Sequence, residues 1–257
     1  MALRDSAQSG EPVLGMFVKT TSPQIIELLA CTTLDFIVLD AEHAPFGRES
    51  LSQCLAIAHL ARLPALVRIP DHGAALINAC LDDGAAGILV PHVRSPADVD
   101  RIADAARYSH GRRGFSPSTR AGGYGTVASA PLRAAIDAGT SIWCQIEDAE
   151  ALTSLDAIAA RDAVDCLFIG PADLSLSLGI EGPEDVRLEP VINDIIESGA
   201  RHRRAIGLFV SRPEQIEPAV ARGISVIVCG SDQSVLLNGV RALEAEMART
   251  RRTAEGS

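Results

Sequence analysis

Glu147 and Asp173 are the residues whose types and spacing point most directly to chemistry. Glu147 closes the apolar run Ile142-Trp143-Cys144-Gln145-Ile146. Asp173 follows the run Cys166-Leu167-Phe168-Ile169-Gly170, inside Pro171-Ala172-Asp173-Leu174. A helix-like stretch over 149–160 separates the two runs. The three pieces read as one βαβ unit with an acid at the carboxyl end of each strand. Adjacent parallel strands lie about 5 Å apart, so both carboxylates can converge on one point. Two hard oxygen donors at the mouth of a parallel sheet suit a hard divalent cation such as Mg²⁺ or Mn²⁺. The same acids also read as helix N-caps or solvated loop ends, and the unit alone leaves both readings open.

The elements around this unit repeat its pattern. Apolar runs at 14–18, 36–39, 64–70, 87–91, 142–146, 166–170, 205–210 and 225–230 read as strands. Helical patterns lie at 22–30, 49–61, 73–82, 95–108, 129–138, 149–160, 188–200, within 211–222, and at 233–248. Ser22-Pro23 and Ser95-Pro96 carry the start signal of a capping serine before a first-turn proline. Eight strands alternating with helices match a single (β/α)₈ barrel over 1–257, with polar tails at 1–12 and 250–257. A doubly wound open sheet would want a glycine-rich turn after its first strand, and Lys19-Thr20-Thr21-Ser22-Pro23 is not one. The period breaks at 109–126, which is rich in Gly, Arg and Ser. A long stretch of this kind in a compact domain reads as a functional lid or a disordered segment.

Composition narrows the partners. The 257 residues are 47% hydrophobic with few aromatics, and the formal net charge is −10. That balance, with no basic stripe, argues against a nucleic-acid partner. An anionic ligand would have to meet a local cation in a pocket. Cysteines stand at 31, 54, 80, 144, 166 and 229 with no CxxC pair, which reads as buried free thiols in a reducing compartment. The start lacks an apolar signal core, and no run approaches the roughly 18 apolar residues of a membrane span. The expected location is the cytoplasm.

In a barrel the active site lies at the carboxyl ends of the strands. The second strand ends in Asp40, Glu42 and His43, and the third carries Arg68. The fifth carries Gln145 and Glu147, and the sixth ends in Gly170-Pro171-Ala172-Asp173. The eighth ends in Ser231-Asp232. Charged residues inside apolar runs are costly unless paired or functional. Arg68 reads either as a structural partner of Asp40 or Glu42, or as a guanidinium fork for a carboxylate or developing enolate oxygen. His43 reads as a structural histidine or as an acid–base group. Asp40 reads as a backbone acceptor or as a partner of a metal-bound water. Asp82 reads as a surface acid or as the group orienting His43. Residues 170–173 read as a plain strand-to-helix turn, or as backbone N–H groups for a small carboxylate. The remaining histidines read as surface or loop residues, of which His92 also points toward the mouth. Arg112, Arg113 and Arg120 read as solvated, or as lid cations over an acidic substrate.

The combined motifs resemble those of the HpcH/HpaI family of metal-dependent class II pyruvate aldolases. Asp40-Ala41-Glu42-His43 is similar to its D-x-E-H segment, and Val67-Arg68-Ile69-Pro70 to its arginine strand. Leu81-Asp82-Asp83-Gly84-Ala85 matches L-D-x-G-A, and Arg107-Tyr108 with Gly111-Arg112-Arg113-Gly114 resembles its R-Y-x-x-x-G-x-R-G loop. Gln145-Ile146-Glu147 and Phe168-Ile169-Gly170-Pro171-Ala172-Asp173-Leu174 match its metal and substrate motifs. The likeness covers roughly 13–245. Phe17 stands where the family often has Trp, and the 116–125 segment is unusually glycine-rich. Both departures bear on the aldehyde half of a substrate.

The resemblance implies a (β/α)₈ barrel of the phosphoenolpyruvate/pyruvate type, assembled as a hexamer (a trimer of dimers) with the last helix exchanged between neighbours. It implies a divalent cation (Mg²⁺, Mn²⁺ or Co²⁺) on Glu147 and Asp173, chelated by the carboxylate and keto oxygens of pyruvate or a 2-oxo acid. Gln145 and the turn Gly170, Pro171, Ala172 and Asp173 would hold the substrate carboxylate. Arg68 would stabilise the enolate. His43, oriented by Asp82 and working through a metal-bound water near Asp40, would move the proton. The chemistry is then reversible cleavage of a 4-hydroxy-2-oxo acid into pyruvate and an aldehyde. A Lewis acid and an arginine aimed at one oxygen suit that step. Lys19 is the chain's single lysine, which disfavours a Schiff-base aldolase. The same site could instead decarboxylate oxaloacetate or cleave a citryl- or malyl-CoA, although no nucleotide-binding extension is visible. A non-catalytic binding barrel is the third reading, and the complete set Asp40, His43, Arg68, Asp82, Glu147 and Asp173 argues against it.

Overall fold

A computed structural model of the chain describes residues 3–255. Its eight strands are β1 Val13–Val18, β2 Phe36–Asp40, β3 Ala65–Arg68, β4 Gly87–Val90, β5 Ser141–Ile146, β6 Cys166–Ile169, β7 Ala205–Val210 and β8 Val226–Ser231. They pair in sequence order, all parallel, and β8 closes onto β1. The result is the (β/α)₈ barrel that the spacing of apolar runs predicts.

The strands are apolar throughout because both faces are covered. One face packs against the helices through residues such as Ile37, Leu39, Val67, Ile88 and Leu167. The other fills the barrel with Phe36, Val38, Leu66, Leu89, Trp143, Phe168, Val226 and Val228. Trp143 meets Phe36 edge-on with centroids 5.2 Å apart and stacks on Phe168 at 6.3 Å. Room for these rings comes from glycines beside them. A Cβ on Gly15 would lie 2.3 Å from the Phe36 ring, and one on Gly207 would lie 2.5 Å from Phe168. The two-residue period of a strand then carries the interior face upward from rings to polar groups. Val38 gives way to Asp40, Leu66 to Arg68, and Trp143 to Gln145. The fold thus places the polar residues together at one end.

Four expectations need correction. The polar tail expected at 1–12 contains a helix, Leu3–Gln8, that buries Leu3 and Ala7 under the barrel. Arg4 and Gln8 both bond Asp165 Oδ1, at 2.6 Å and 3.1 Å. The last helix extends over Asp232–Glu255, so most of the expected tail at 250–257 is helical, while its last two residues lie outside the described residues. No proline or glycine interrupts that extension. The helix after β5 is two pieces, Ala149–Leu152 and Leu155–Ala159. Thr153 breaks it by turning its hydroxyl back onto the Glu150 carbonyl at 2.9 Å. The 109–126 stretch is no lid over the chain's own mouth. Arg113 bonds Asp82, Arg120 bonds the Asp83 carbonyl, and the Ala121 N–H donates to the Asp82 carbonyl at 3.0 Å. Arg112 pairs with Asp104. These contacts lie at the far end of helix Ala74–Asp82, which runs back toward the amino-terminal end of the barrel. Among the described residues no helix is long and apolar enough to cross a membrane.

Candidate active site at the barrel mouth

Asp40 and Arg68 are direct partners in the β2–β3 register and both face inward. Arg68 Nε donates to Asp40 Oδ1 at 2.9 Å and Nη2 to Oδ2 at 2.7 Å. Asp40 also accepts the His43 backbone N–H at 3.1 Å, and Lys19 Nζ lies 3.4 Å from Oδ2. Burial alone would raise the Asp40 carboxyl. The Arg68 hydrogen bonds and charge, the His43 N–H and the Lys19 charge outweigh it and hold the group below its ordinary value. The Arg68 guanidinium lies over the Phe17 ring, 4.5 Å from its centroid. Both of its in-plane contacts and its stacking face are therefore fixed, and what remains is directed to the cavity it lines.

Glu42 stands beside this pair. Its Oε2 lies 3.3 Å from Arg68 Nε and 3.8 Å from His43 Nε2, yet accepts no hydrogen bond among the described residues. The acid nearest the His43 ring is thus Glu42. Asp82 is not brought to His43 within the chain. Its helix carries it to the opposite end of the barrel, where Asp82 Oδ1 accepts from Arg113 Nη2 at 2.9 Å. An orienting dyad of His43 and Asp82 in one chain is excluded by that placement.

Glu147 follows β5 and is 2% exposed. Its Oε1 accepts the His92 backbone N–H at 2.8 Å, and its Oε2 accepts from Gln145 Nε2. His92 adopts the left-handed backbone region with φ 54°, a conformation that costs a non-glycine residue about 1–3 kcal/mol. Its ring Nδ1 lies 3.0 Å from Asp148 Oδ2 and 3.3 Å from Glu147 Oε1. Burial pushes the Glu147 carboxyl up, despite the His92 and Gln145 contacts. Burial pulls His92 the other way, but the Asp148 hydrogen bond and the Glu147, Asp148 and Glu42 charges together raise it.

These residues fit a hard divalent cation. Among the described residues no Lys or Arg lies within ion-pair distance of the buried Glu147, and the His92 ring, 3.3 Å from Oε1, is the one basic group facing it. Gln145 Oε1 is buried without a partner. A Cβ on Gly170 would fall 3.0 Å from Gln145 Nε2 and 3.1 Å from Glu147 Oε2, so glycine keeps that corner open. Asp173 lines the cavity from the first turn of helix Pro171–Ser177. His92, Glu147 and Asp148 also bring one ligand atom each within 4.8 Å of one another; the sequence reading gives Glu147 the metal and assigns no ligand role to His92 or Asp148.

The cavity has a volume of about 310 Å³, at the lower end of ordinary small-ligand sites. His43, Arg68, Gln145, Gly170, Pro171, Ala172 and Asp173 all line it, as their strand-end positions predict. Asp40 and Glu147 lie behind this lining. Lys19, Ser211, Ser231 and Ser234 also line it, and the sequence reading assigned none of them a role. The signal was present for Lys19, which follows β1 as Arg68 closes β3.

A family model described as HpcH/HpaI aldolase/citrate lyase matches residues 13–239. The chain is 35% identical over 240 residues to a hydroxypyruvate/pyruvate aldolase of Pseudomonas aeruginosa, across 92% of this chain and 88% of that one. It is 30% identical over 233 residues to a 5-keto-4-deoxy-D-glucarate aldolase of Shigella boydii, covering 90% of each. The crystal structure of an HpcH/HpaI aldolase/citrate lyase family protein from Burkholderia cenocepacia superposes with a TM-score of 0.90 at 27% identity. That match covers 96% of this chain and 98% of the other.

Proposed function

The chain belongs to the HpcH/HpaI aldolase/citrate lyase family, and from that premise we propose that it is a divalent-metal-dependent class II pyruvate aldolase. It is a carbon–carbon lyase that cleaves a 4-hydroxy-2-oxo acid, reversibly, to pyruvate and an aldehyde. The observation that carries this reading is one cavity holding Arg68, locked by Asp40, together with Gln145, Asp173 and His43. Gln145 and the backbone at Ala172 and Asp173 hold the substrate carboxylate. His43 takes the proton of the 4-hydroxyl as the C3–C4 bond breaks. The electron pair of that bond passes to the C2 oxygen, and the Arg68 guanidinium stabilises the charge arriving there. Return of a proton to C3 gives pyruvate. A divalent cation, for which we propose Mg²⁺, Mn²⁺ or Co²⁺ on Glu147 and Asp173, supplies Lewis-acid polarisation when bound. Gly170 and His92 keep the Glu147 carboxylate in place for it.

The assembly we propose is a hexamer, a trimer of dimers. Helix Asp232–Glu255 exposes Val235, Leu236, Leu237, Val240, Leu243 and Met247, an apolar surface of the kind that marks an interface. Sedimentation tests it. The six unpaired cysteines support a cytoplasmic location.

Pyruvate release from 4-hydroxy-2-oxo acids and from oxaloacetate, with chelator and with each added metal, tests the activity. Metal-dependent retro-aldol cleavage supports the aldolase, whereas turnover of oxaloacetate alone would make the protein a decarboxylase.

A further inference from the structure

We propose that Lys19 reads a carboxylate on the aldehyde half of the substrate, so that this chain prefers acceptor aldehydes with an anionic tail. The inference rests on the aldolase reading and adds to it the class of aldehyde.

Lys19 follows β1, and its backbone is fixed from outside the barrel. Asp232, 7% exposed at the start of the last helix, accepts the Lys19 N–H at 2.8 Å and the Thr20 N–H at 3.0 Å. The side chain enters the mouth, where it lines the cavity. Its ammonium has one ion pair, with Asp40 Oδ2 at 3.4 Å, and makes no hydrogen bond among the described residues. Asp40 is already engaged by two bonds from Arg68 and one from the His43 N–H. The donors of the lysine are therefore left for a ligand.

Round the cavity wall, His43 and Arg68 from the ends of β2 and β3 stand at the reacting centre, and two further arcs flank them. β5 and β6 supply Gln145 and residues 170–173, where the aldolase reading puts the pyruvyl half. The neighbouring strands β7, β8 and β1 supply Phe209, Ser211, Ser231, Ser234 and Lys19 across from them. In the same reading the 4-hydroxyl meets His43 and the tail of the aldehyde beyond it runs along this second arc. No carboxylate lines it, and Lys19 is its one charged group. Ser231 Oγ accepts the Ser234 N–H at 3.2 Å and donates to nothing among the described residues, so its proton can also reach an anion. A cation and a hydroxyl donor in a partly enclosed, otherwise uncharged arc favour a carboxylate over an alkyl tail. An alkyl tail would cover the ammonium and give it no partner. If Lys19 served only to neutralise Asp40, replacing it would leave the discrimination between charged and neutral aldehydes unchanged.

The test is aldol addition of pyruvate to matched aldehydes, 4-oxobutanoate against butanal and glyoxylate against acetaldehyde. Wild-type protein, Lys19→Met and Lys19→Arg are compared. The expected ratio of kcat/KM, anionic over neutral, is about tenfold or more in wild type, the size of one charge-assisted contact. It should fall about tenfold in Lys19→Met, through KM for the anionic aldehyde, and recover largely in Lys19→Arg. If Lys19→Met does not fold, Lys19→Gln and the wild-type ratio carry the same comparison. Exchange of the pyruvate C3 protons in D₂O, which needs no aldehyde, is followed alongside. Exchange without charge discrimination, or a ratio unchanged in Lys19→Met, overturns the assignment of Lys19 and leaves the aldolase standing. Absence of exchange from wild type overturns both.

Discussion

Arg68 and Asp40 face each other across β2 and β3 and are joined by two hydrogen bonds, 2.9 Å and 2.7 Å long. Neither residue is a surface ion-pair member: Asp40 is fully buried and Arg68 is 6% exposed. The pair aims a guanidinium at the cavity without letting it rotate. Asp40→Asn should therefore cost both stability and rate. Removing one partner of a buried pair costs about 3 kcal/mol, here tempered by Glu42 at 3.3 Å from Arg68. The sign of the pH dependence follows from the lowered Asp40 carboxyl. Its contribution is complete above the unfolded value of about 3.9 and is lost as pH falls through the lower folded value. Urea denaturation of wild type and Asp40→Asn should thus differ most near neutral pH and converge in acid.

Glu147 carries the opposite sign. Burial raises its carboxyl in the folded chain, so its contribution is complete below about pH 4.3 and is lost as pH rises through the folded value. Above that folded value the metal-free protein bears a buried charge. Glu147→Gln should then melt higher than metal-free wild type, by about 2–4 °C for each kcal/mol relieved. The variant amide can still accept from His92, and its own N–H groups can meet Gln145 Oε1, which lacks a partner, if the Gln145 amide turns. Adding Mn²⁺ should raise the melting temperature of wild type and leave that of Glu147→Gln unchanged. An equal rise in both on adding Mn²⁺ would remove Glu147 from the cation site.

Asp82 serves Arg113, whose side chain is fully buried while Asp82 is a quarter exposed. Asp82→Ala leaves that guanidinium without a hydrogen-bond partner among the described residues and should destabilise the protein by about 3 kcal/mol. The 109–126 segment should then exchange its amide hydrogens faster than in wild type. Unchanged exchange there would show that Arg113 does not depend on Asp82.

Lys19 bears on the class of aldolase as well as on its substrate. It lines the cavity, but its Nζ is turned onto the Asp40 carboxylate, 3.4 Å from Oδ2. Borohydride added with pyruvate should leave Lys19 unmodified by mass spectrometry. A reduced pyruvyl adduct on Lys19 would mark a Schiff-base mechanism instead.

Much of this was legible in the sequence, for physical reasons that differ between parts. The barrel showed itself because strands covered on both faces must be apolar throughout, and eight such runs recur. Arg68 and Glu147 stood out because a charge is costly in such a run. Leu3–Gln8 shows no readable period because six residues make fewer than two helical turns; burial of Leu3 and Ala7 and the bonds to Asp165, far off in sequence, hold it. The motif pairs Asp82 with His43, although a helix following β3 must end at the other end of the barrel. Glu42 and His92 gained their places through loop geometry, and for His92 through a left-handed backbone that no residue pattern announces.

The most direct test of the central claim is exchange of the pyruvate C3 protons in D₂O, followed by NMR, before and after exhaustive chelation and with Mg²⁺, Mn²⁺ or Co²⁺ restored. A metal-dependent enolate held at Arg68 predicts exchange that chelation stops, that the metals restore, and that Arg68→Ala loses. Exchange that survives complete chelation, or that persists undiminished in Arg68→Ala, would contradict it.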